Sequence, residues 1–218
     1  MNIVILHGLY MHGVVMQPLS QKLQALGYST QIVSYNTVSI NEEELFQDID
    51  NALEDSENVL LGHSLGGIMI KRYLASRKPP VEKISHVIAL ASPIKGASIA
   101  EKLQGLGLGA MLGNSVEHGL ELHEDTWDYP QLLGSITGNV SVGVRPILIG
   151  SDSCDGTVTV EETKIDGMTD HVETKNSHSS ILFSSEAIKQ IDHFIKNSHF
   201  TTDDGSLHRH SREGGNLD

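Results

Sequence analysis

Cysteine is almost absent: Cys154 is the single one in 218 residues. No internal disulfide can form, so the fold must rest on packing, and a reducing compartment is the expectation. Basic residues are scarce as well, with 15 Lys and Arg against 28 Asp and Glu and a formal net charge of -13. Binding nucleic acid depends on cations displacing condensed counterions, so no nucleic-acid partner is expected. No apolar run approaches the roughly 18 residues of a membrane-spanning helix, so no integral membrane segment is expected. Met1 leads at once into the strand-like run Asn2 to Leu6, with no basic n-region, long apolar h-region or cleavage site, and a cytoplasmic protein is predicted. Twelve histidines invite a metal, yet neither H-E-x-x-H nor a paired C-x-x-C occurs, so no metal or other cofactor is expected.

What is present has globular proportions, 39% hydrophobic and 20% charged, in a length that suits one domain. Apolar runs of strand length recur at Ile3 to Leu6, Gln31 to Ser34, Val59 to Gly62, Val87 to Ala91 and Ile147 to Gly150. Runs without alternation suit strands buried on both faces of a parallel sheet. Between them lie helical patterns: Leu19, Leu23 and Leu26 ending at Gly27, then Leu45, Ile49 and Leu53, then Ile68 to Arg77 stopped by Pro79-Pro80, and a last helix over Ser185 to Lys196. Alternating strand and helix predict an α/β domain with a doubly wound, mostly parallel sheet over residues 1–197. From Gly96 to Val142 no sheet strand is expected, and the glycine-spaced segment L-Q-G-L-G-L-G-A-M-L-G suggests a helical cap insertion over about 97–142, with ordinary packing helices as the other reading. Residues 198–218 read as a polar, disordered tail.

The stretch G-H-S-L-G-G at Gly62 to Gly67 lies where the strand Val59-Leu60-Leu61 meets the helix that begins near Ile68. A turn that tight forces the serine into a strained conformation and lifts Ser64 Oγ clear of the sheet, while the glycines allow strand and helix to pass closely. Helix-start N–H groups then suit a developing oxyanion. An unassisted serine hydroxyl is a poor nucleophile, so a histidine base and an orienting carboxylate are needed. Asp155, in the loop after Pro146 to Gly150, and His178, between the strand-like H-V-E-T-K-N and the last helix, fit the C-terminal edge of a parallel sheet. Asp152 is the rival acid and His171 the rival base. His63 reads as a packing residue of the turn.

Four motifs together, H-G-L at His7 to Leu9, G-H-S-L-G-G, D-G-T-V at Asp155 to Val158 and N-S-H-S-S-I-L at Asn176 to Leu182, resemble the α/β-hydrolase family, in particular its small lipases and esterases, over Asn2 to Lys196. The resemblance implies a helical cap on a minimal hydrolase fold, the chain order Ser64, Asp155, His178, and an oxyanion hole made by the backbone N–H groups of Leu9 and Leu65. It implies cleavage of a small-molecule or lipid-like carboxylic ester through an acyl-enzyme. Thioester or amide cleavage uses the same groups, and a non-catalytic interaction protein on this fold is the rival of another class. Tyr10 and Met11 are expected to border the acyl pocket, with plain packing as the alternative, and Leu108 and Met111 to face the acyl chain from the cap. S-P-I-K-G-A at Ser92 to Ala97 departs from a polar, Arg-bearing pair found in relatives, and no role is transferred to Ile94 or Lys95. Oligomeric state is left open by the sequence.

Overall fold

The computed structural model describes residues 1–94, 126–141 and 153–201. Six parallel strands make one sheet in the order β2-β1-β3-β4-β5-β6. They are β1 (Asn2–Leu6), β2 (Ser29–Val33), β3 (Asn58–His63), β4 (Ile84–Leu90), β5 (Leu132–Gly138) and β6 (Asp170–Thr174). Order reverses at β1, with β2 paired on one side and β3 on the other in registers Asn2 to Ser29 and Asn2 to Asn58. Such a reversal opens a crevice beyond the C-terminal strand ends, where ligand chemistry collects in this architecture.

The unbroken apolar runs arise because both faces of the sheet are covered. Side chains alternate across a strand. Ile3, Ile5, Val59 and Leu61 therefore join one core with Leu19 and Leu23 of α1 (Gln17–Ala25) and with Ile191 and Phe194 of the last helix, α4 (Ser185–Asn197). Val4, Leu6 and Leu60 join the opposite core with Leu45 and Ile49 of α2 (Glu42–Ala52) and Met69, Ile70 and Tyr73 of α3 (Leu65–Arg77). The helix ends follow local chemistry. Asn41 accepts from the Glu44 N–H at 3.3 Å to start α2, and Ser184 accepts from the Ala187 N–H at 3.2 Å to start α4. Gly27, at φ 96, closes α1 while its N–H reaches the Gln24 carbonyl at 2.9 Å.

Two expectations need correction. The stretch from 96 to 142 contains a sheet strand after all: β5 sits between β4 and β6, in registers His86 to Leu132 and Gly134 to Asp170. Its sequence, LLGSITG, lacks an apolar run because Gly134 leaves room for the Phe194 ring, 2.8 Å from where a Cβ would stand. Residues 97–125 of the expected cap and the strand expected at Ile147 to Gly150 lie outside the described residues. The domain also runs past 197. Phe200 is buried, stacks on Phe194 with ring centroids 4.8 Å apart, and donates its N–H to Asp170 Oδ2 at 2.8 Å. Residues 202–218 of the expected tail are outside the described residues. Among those described, no helix is long and apolar enough to cross a membrane.

If Phe200 belongs to the core, Phe200→Ala should lower unfolding free energy by about 3 kcal/mol, the usual cost of emptying a buried aromatic site. A chemical-denaturation midpoint measures it; an unchanged midpoint would return Phe200 to the tail.

Candidate active site

Ser64 stands between the end of β3 and the first residue of α3 with φ 53 and ψ -120, a conformation that side chains avoid. The surroundings over-determine it. A Cβ at Gly62 would fall on the Gly67 nitrogen and the Gly66 carbonyl carbon, so strand and helix backbones meet where no side chain fits. Ser64 N–H is fixed to the Leu90 carbonyl at 3.0 Å, and Ser92 Oγ donates to the Gly62 carbonyl at 3.0 Å. The turn is thereby tied to the end of β4. Leu65 opens α3, and its N–H is among those that a helix leaves without an internal acceptor.

On the other side of the serine comes the loop after β1. A Cβ at Gly8 would stand 3.0 Å from Ser64 Cβ, so this loop lies directly against the serine. His7 holds it in place. Tyr35 N–H donates to His7 Nε2 at 3.2 Å, which leaves the ring proton on Nδ1 to donate to the Gly8 carbonyl at 3.0 Å. Tyr35 closes the brace by stacking on His7 at 4.6 Å and donating its hydroxyl to the His7 carbonyl at 2.8 Å. Leu9 follows in the same loop, and Tyr10 adopts φ 56 with its N–H on Thr37 Oγ1 at 3.1 Å.

Asp155 and His178 meet as a pair. His178 Nδ1 donates to Asp155 Oδ2 at 2.8 Å, and the His178 N–H donates to the Asp155 carbonyl at 2.9 Å. Asp155 is wholly buried, and its Oδ1 accepts from the N–H groups of Thr157 at 2.9 Å and Val158 at 2.8 Å. With the carboxylate held on both oxygens, His178 carries its neutral proton on Nδ1 and keeps a lone pair on Nε2, which is what a proton acceptor needs. The rival base is occupied elsewhere: His171 is buried in β6 with Nε2 3.0 Å from Thr163 Oγ1. Asp152, the rival acid, lies outside the described residues, as do Leu108 and Met111. Among the described residues no cluster of His, Cys, Asp and Glu could hold a metal ion.

His63, expected only to pack, does more. Its Nε2 donates to the His178 carbonyl at 2.9 Å, and the two rings lie 4.9 Å apart. This bond ties the residue before Ser64 to the partner of Asp155. Nothing in G-H-S-L-G predicts it, because the acceptor comes from a loop far along the chain.

A cavity of about 540 Å³ opens beside the loop after β1, lined by Tyr10, Met11, His12, the 34–39 segment, Asn41, Glu44, Leu45 and Asp48. Tyr10 and Met11 thus border a cavity, although Ser64, Asp155 and His178 are not in its lining.

Burial holds His63 neutral, with its pKa lowered to about 3 by desolvation first and by the neighbouring His178 second. Desolvation likewise lowers His7 and His86. Unfolding returns each to its ordinary value near 6.5. Between the folded and unfolded values the unfolded chain binds protons that the folded one refuses, so stability is fully present above the unfolded pKa and is lost as pH falls below it. The melting temperature should therefore drop on acidification from pH 6.5 towards 4, with His63 contributing up to ~1.4 kcal/mol per pH unit and His7 and His86 acting in the same direction. Replacing His63 by Phe should make that drop shallower; an equal slope in both proteins would contradict a buried, neutral His63.

No family profile and no curated protein sequence matches the chain. Solved structures do. A metagenomic carboxyl esterase superposes with a TM-score of 0.63 at 19% identity, over 82% of this chain and 64% of its own. A Bacillus licheniformis lipase in its propeptide form gives 0.61 at 16% identity over 99% of this chain and 52% of its own. The mouse alpha/beta hydrolase domain-containing protein 10 gives 0.59 at 13% identity, covering 90% and 88%. The chain thus spans less than two thirds of the esterase and about half of the lipase. Together with the parallel sheet, the strained serine and the Asp155–His178 pair, these superpositions establish that the chain has the α/β-hydrolase fold.

Proposed function

We propose that this protein is a serine hydrolase that cleaves carboxylic esters through an acyl-enzyme. The observation that carries the reading is the 2.8 Å bond from His178 Nδ1 to buried Asp155, in a loop that His63 ties to the serine turn. Ser64 Oγ attacks the ester carbonyl carbon as its proton passes to His178 Nε2. The carbonyl oxygen becomes an oxyanion held by the backbone N–H groups of Leu9 and Leu65, and the imidazolium is stabilised by Asp155. As the tetrahedral intermediate collapses, His178 returns the proton to the departing alkoxide, leaving an alcohol and Ser64 acylated. Water repeats the sequence: His178 takes its proton, the hydroxide adds to the acyl carbon, and the carboxylic acid departs as Ser64 regains its hydrogen. No cofactor enters any of these steps. That solved structures with this fold include a carboxyl esterase and a lipase supports the choice of ester.

A fluorophosphonate probe should label Ser64 in the intact protein, with the adduct located by mass spectrometry. Ser64→Ala should remove labelling and essentially all hydrolysis of p-nitrophenyl esters. An adduct on a different serine, or undiminished turnover, sinks the reading. Asp155→Asn should lower turnover roughly 10³- to 10⁴-fold, because an amide favours the wrong histidine tautomer, whereas Asp152→Asn should change it little. A larger loss from the Asp152 variant would reassign the acid.

Substrate choice is proposed to lie with the part of the expected 97–142 cap that precedes β5, whose Leu108 and Met111 meet the acyl chain, and with Tyr10 and Met11 at the loop after β1. Leu108→Trp and Met111→Trp should move the preferred acyl length on a p-nitrophenyl ester series while acetate hydrolysis persists. Equal loss at all lengths, with a lowered melting temperature, would make these core residues instead.

A further inference from the structure

We infer that His63 is a positioning residue of the reaction, holding His178 at the height from which its Nε2 reaches Ser64. This rests on the serine-hydrolase reading above and deepens it. His178 lies in the loop between β6 and the short turn Ser180–Phe183, flanked by Lys175, Ser179 and Ser180 on the surface, so no strand or helix fixes its backbone. Its N–H is held by the Asp155 carbonyl at 2.9 Å, and its carbonyl by His63 Nε2 at 2.9 Å. Without the second bond the peptide after His178 could swing about the Asp155 contact, carrying the ring with it. His63 cannot swing in turn: it is the last residue of β3, wholly buried, and the next residue is Ser64. Base and nucleophile are thereby referenced to one peptide.

The tautomer supports this role. The His178 carbonyl can only accept, so His63 carries its proton on Nε2, and its Nδ1 is a buried acceptor with no partner among the described residues. That atom faces the loop after β1, 3.0 Å from where a Cβ on Gly8 would stand. A residue kept only for packing would be better replaced by an apolar ring, which leaves no orphaned acceptor. What an apolar ring cannot supply is the donor to the His178 carbonyl.

Two substitutions separate the roles. His63→Phe keeps the volume and removes the donor; His63→Gln keeps an N–H at the reach of Nε2. The rate at which the fluorophosphonate labels Ser64, and kcat on p-nitrophenyl acetate, should both fall about 10- to 100-fold in His63→Phe, since a sub-ångström misplacement of the base is felt directly in the chemical step. KM should stay near the wild-type value, and the melting temperature at neutral pH should not fall. His63→Gln should recover most of both rates. Should His63→Phe fail to fold, His63→Met, apolar and adaptable, takes its place in the same comparison. Wild-type rates in the apolar variant, or equal losses in the apolar and Gln variants, overturn the positioning role. A wild-type protein that takes no probe on Ser64 overturns the hydrolase reading itself, so the two failures are told apart.

Discussion

Everything at the site depends on how closely the backbones of β3 and α3 approach one another. Gly62 permits that approach, since a Cβ there would strike the backbone of the α3 start, and Gly66 lets the same helix start lie against β1, where a Cβ would strike the Leu6 backbone. The price is a serine at φ 53, of order 1–3 kcal/mol for a non-glycine residue, and the surroundings must supply it. They do so through the bonds of Ser64 N–H to Leu90 and of Ser92 to Gly62, which anchor the turn to β4. Relaxing the turn would lower the serine towards the sheet and separate it from the loop after β1. The strained turn is what sets Ser64 against the loop after β1.

Around that turn the protein arranges neutral imidazoles. His7 and His63 are both wholly buried, and each has its tautomer dictated by a fixed partner: Tyr35 N–H for His7, the His178 carbonyl for His63. Burial depresses both pKa values, so neither carries charge near neutral pH. This matters electrostatically. A cation at His63 would repel an imidazolium formed on His178 in the proposed reaction, at a ring separation of 4.9 Å. With His7 and His63 neutral, the buried carboxylate of Asp155 is the charge in contact with His178, and it has the stabilising sign.

The sequence carries the parts of this design whose cause is local. Strands β1, β3 and β4 carry unbroken apolar runs because they are covered on both faces, and the serine turn is written in closely spaced glycines. Asp155 and His178 could be chosen by chain position and motif, and the 2.8 Å bond now joins them. What escaped is what depends on distant partners. Strand β5 looks like a loop because Gly134 yields space to Phe194, a contact made by the last helix. Phe200 looks like tail because the carboxylate that accepts its N–H, that of Asp170, belongs to β6, 30 positions earlier. The duty of His63 is invisible for the same reason, its acceptor being a backbone carbonyl that lies 115 positions further on.

Strand β5 also explains how Asp155 and His178 come together. A Cβ at Gly138, the last residue of β5, would overlap the Asn176 carbonyl oxygen and stand 3.1 Å from Asp155 Cβ. The two loops therefore converge over the end of this strand, where the absence of a side chain leaves room for both. Just beyond it, Asn139 N–H donates to the Thr174 carbonyl at 3.0 Å and Val140 N–H to the Asn176 carbonyl at 3.1 Å, extending the β5–β6 pairing into the histidine loop. The side chain of Ser141 then reaches the Cys154 carbonyl at 3.0 Å, one residue before Asp155. The chain leaving β5 is thus stitched to both partners in succession, and the register of β5 against β6 sets where His178 can stand. A shift of that register by one residue would invert the faces of β5 and bring a side chain, instead of Gly138, under the two loops. A strand with little apolar content is held in place here by the geometry of the site as well as by the core.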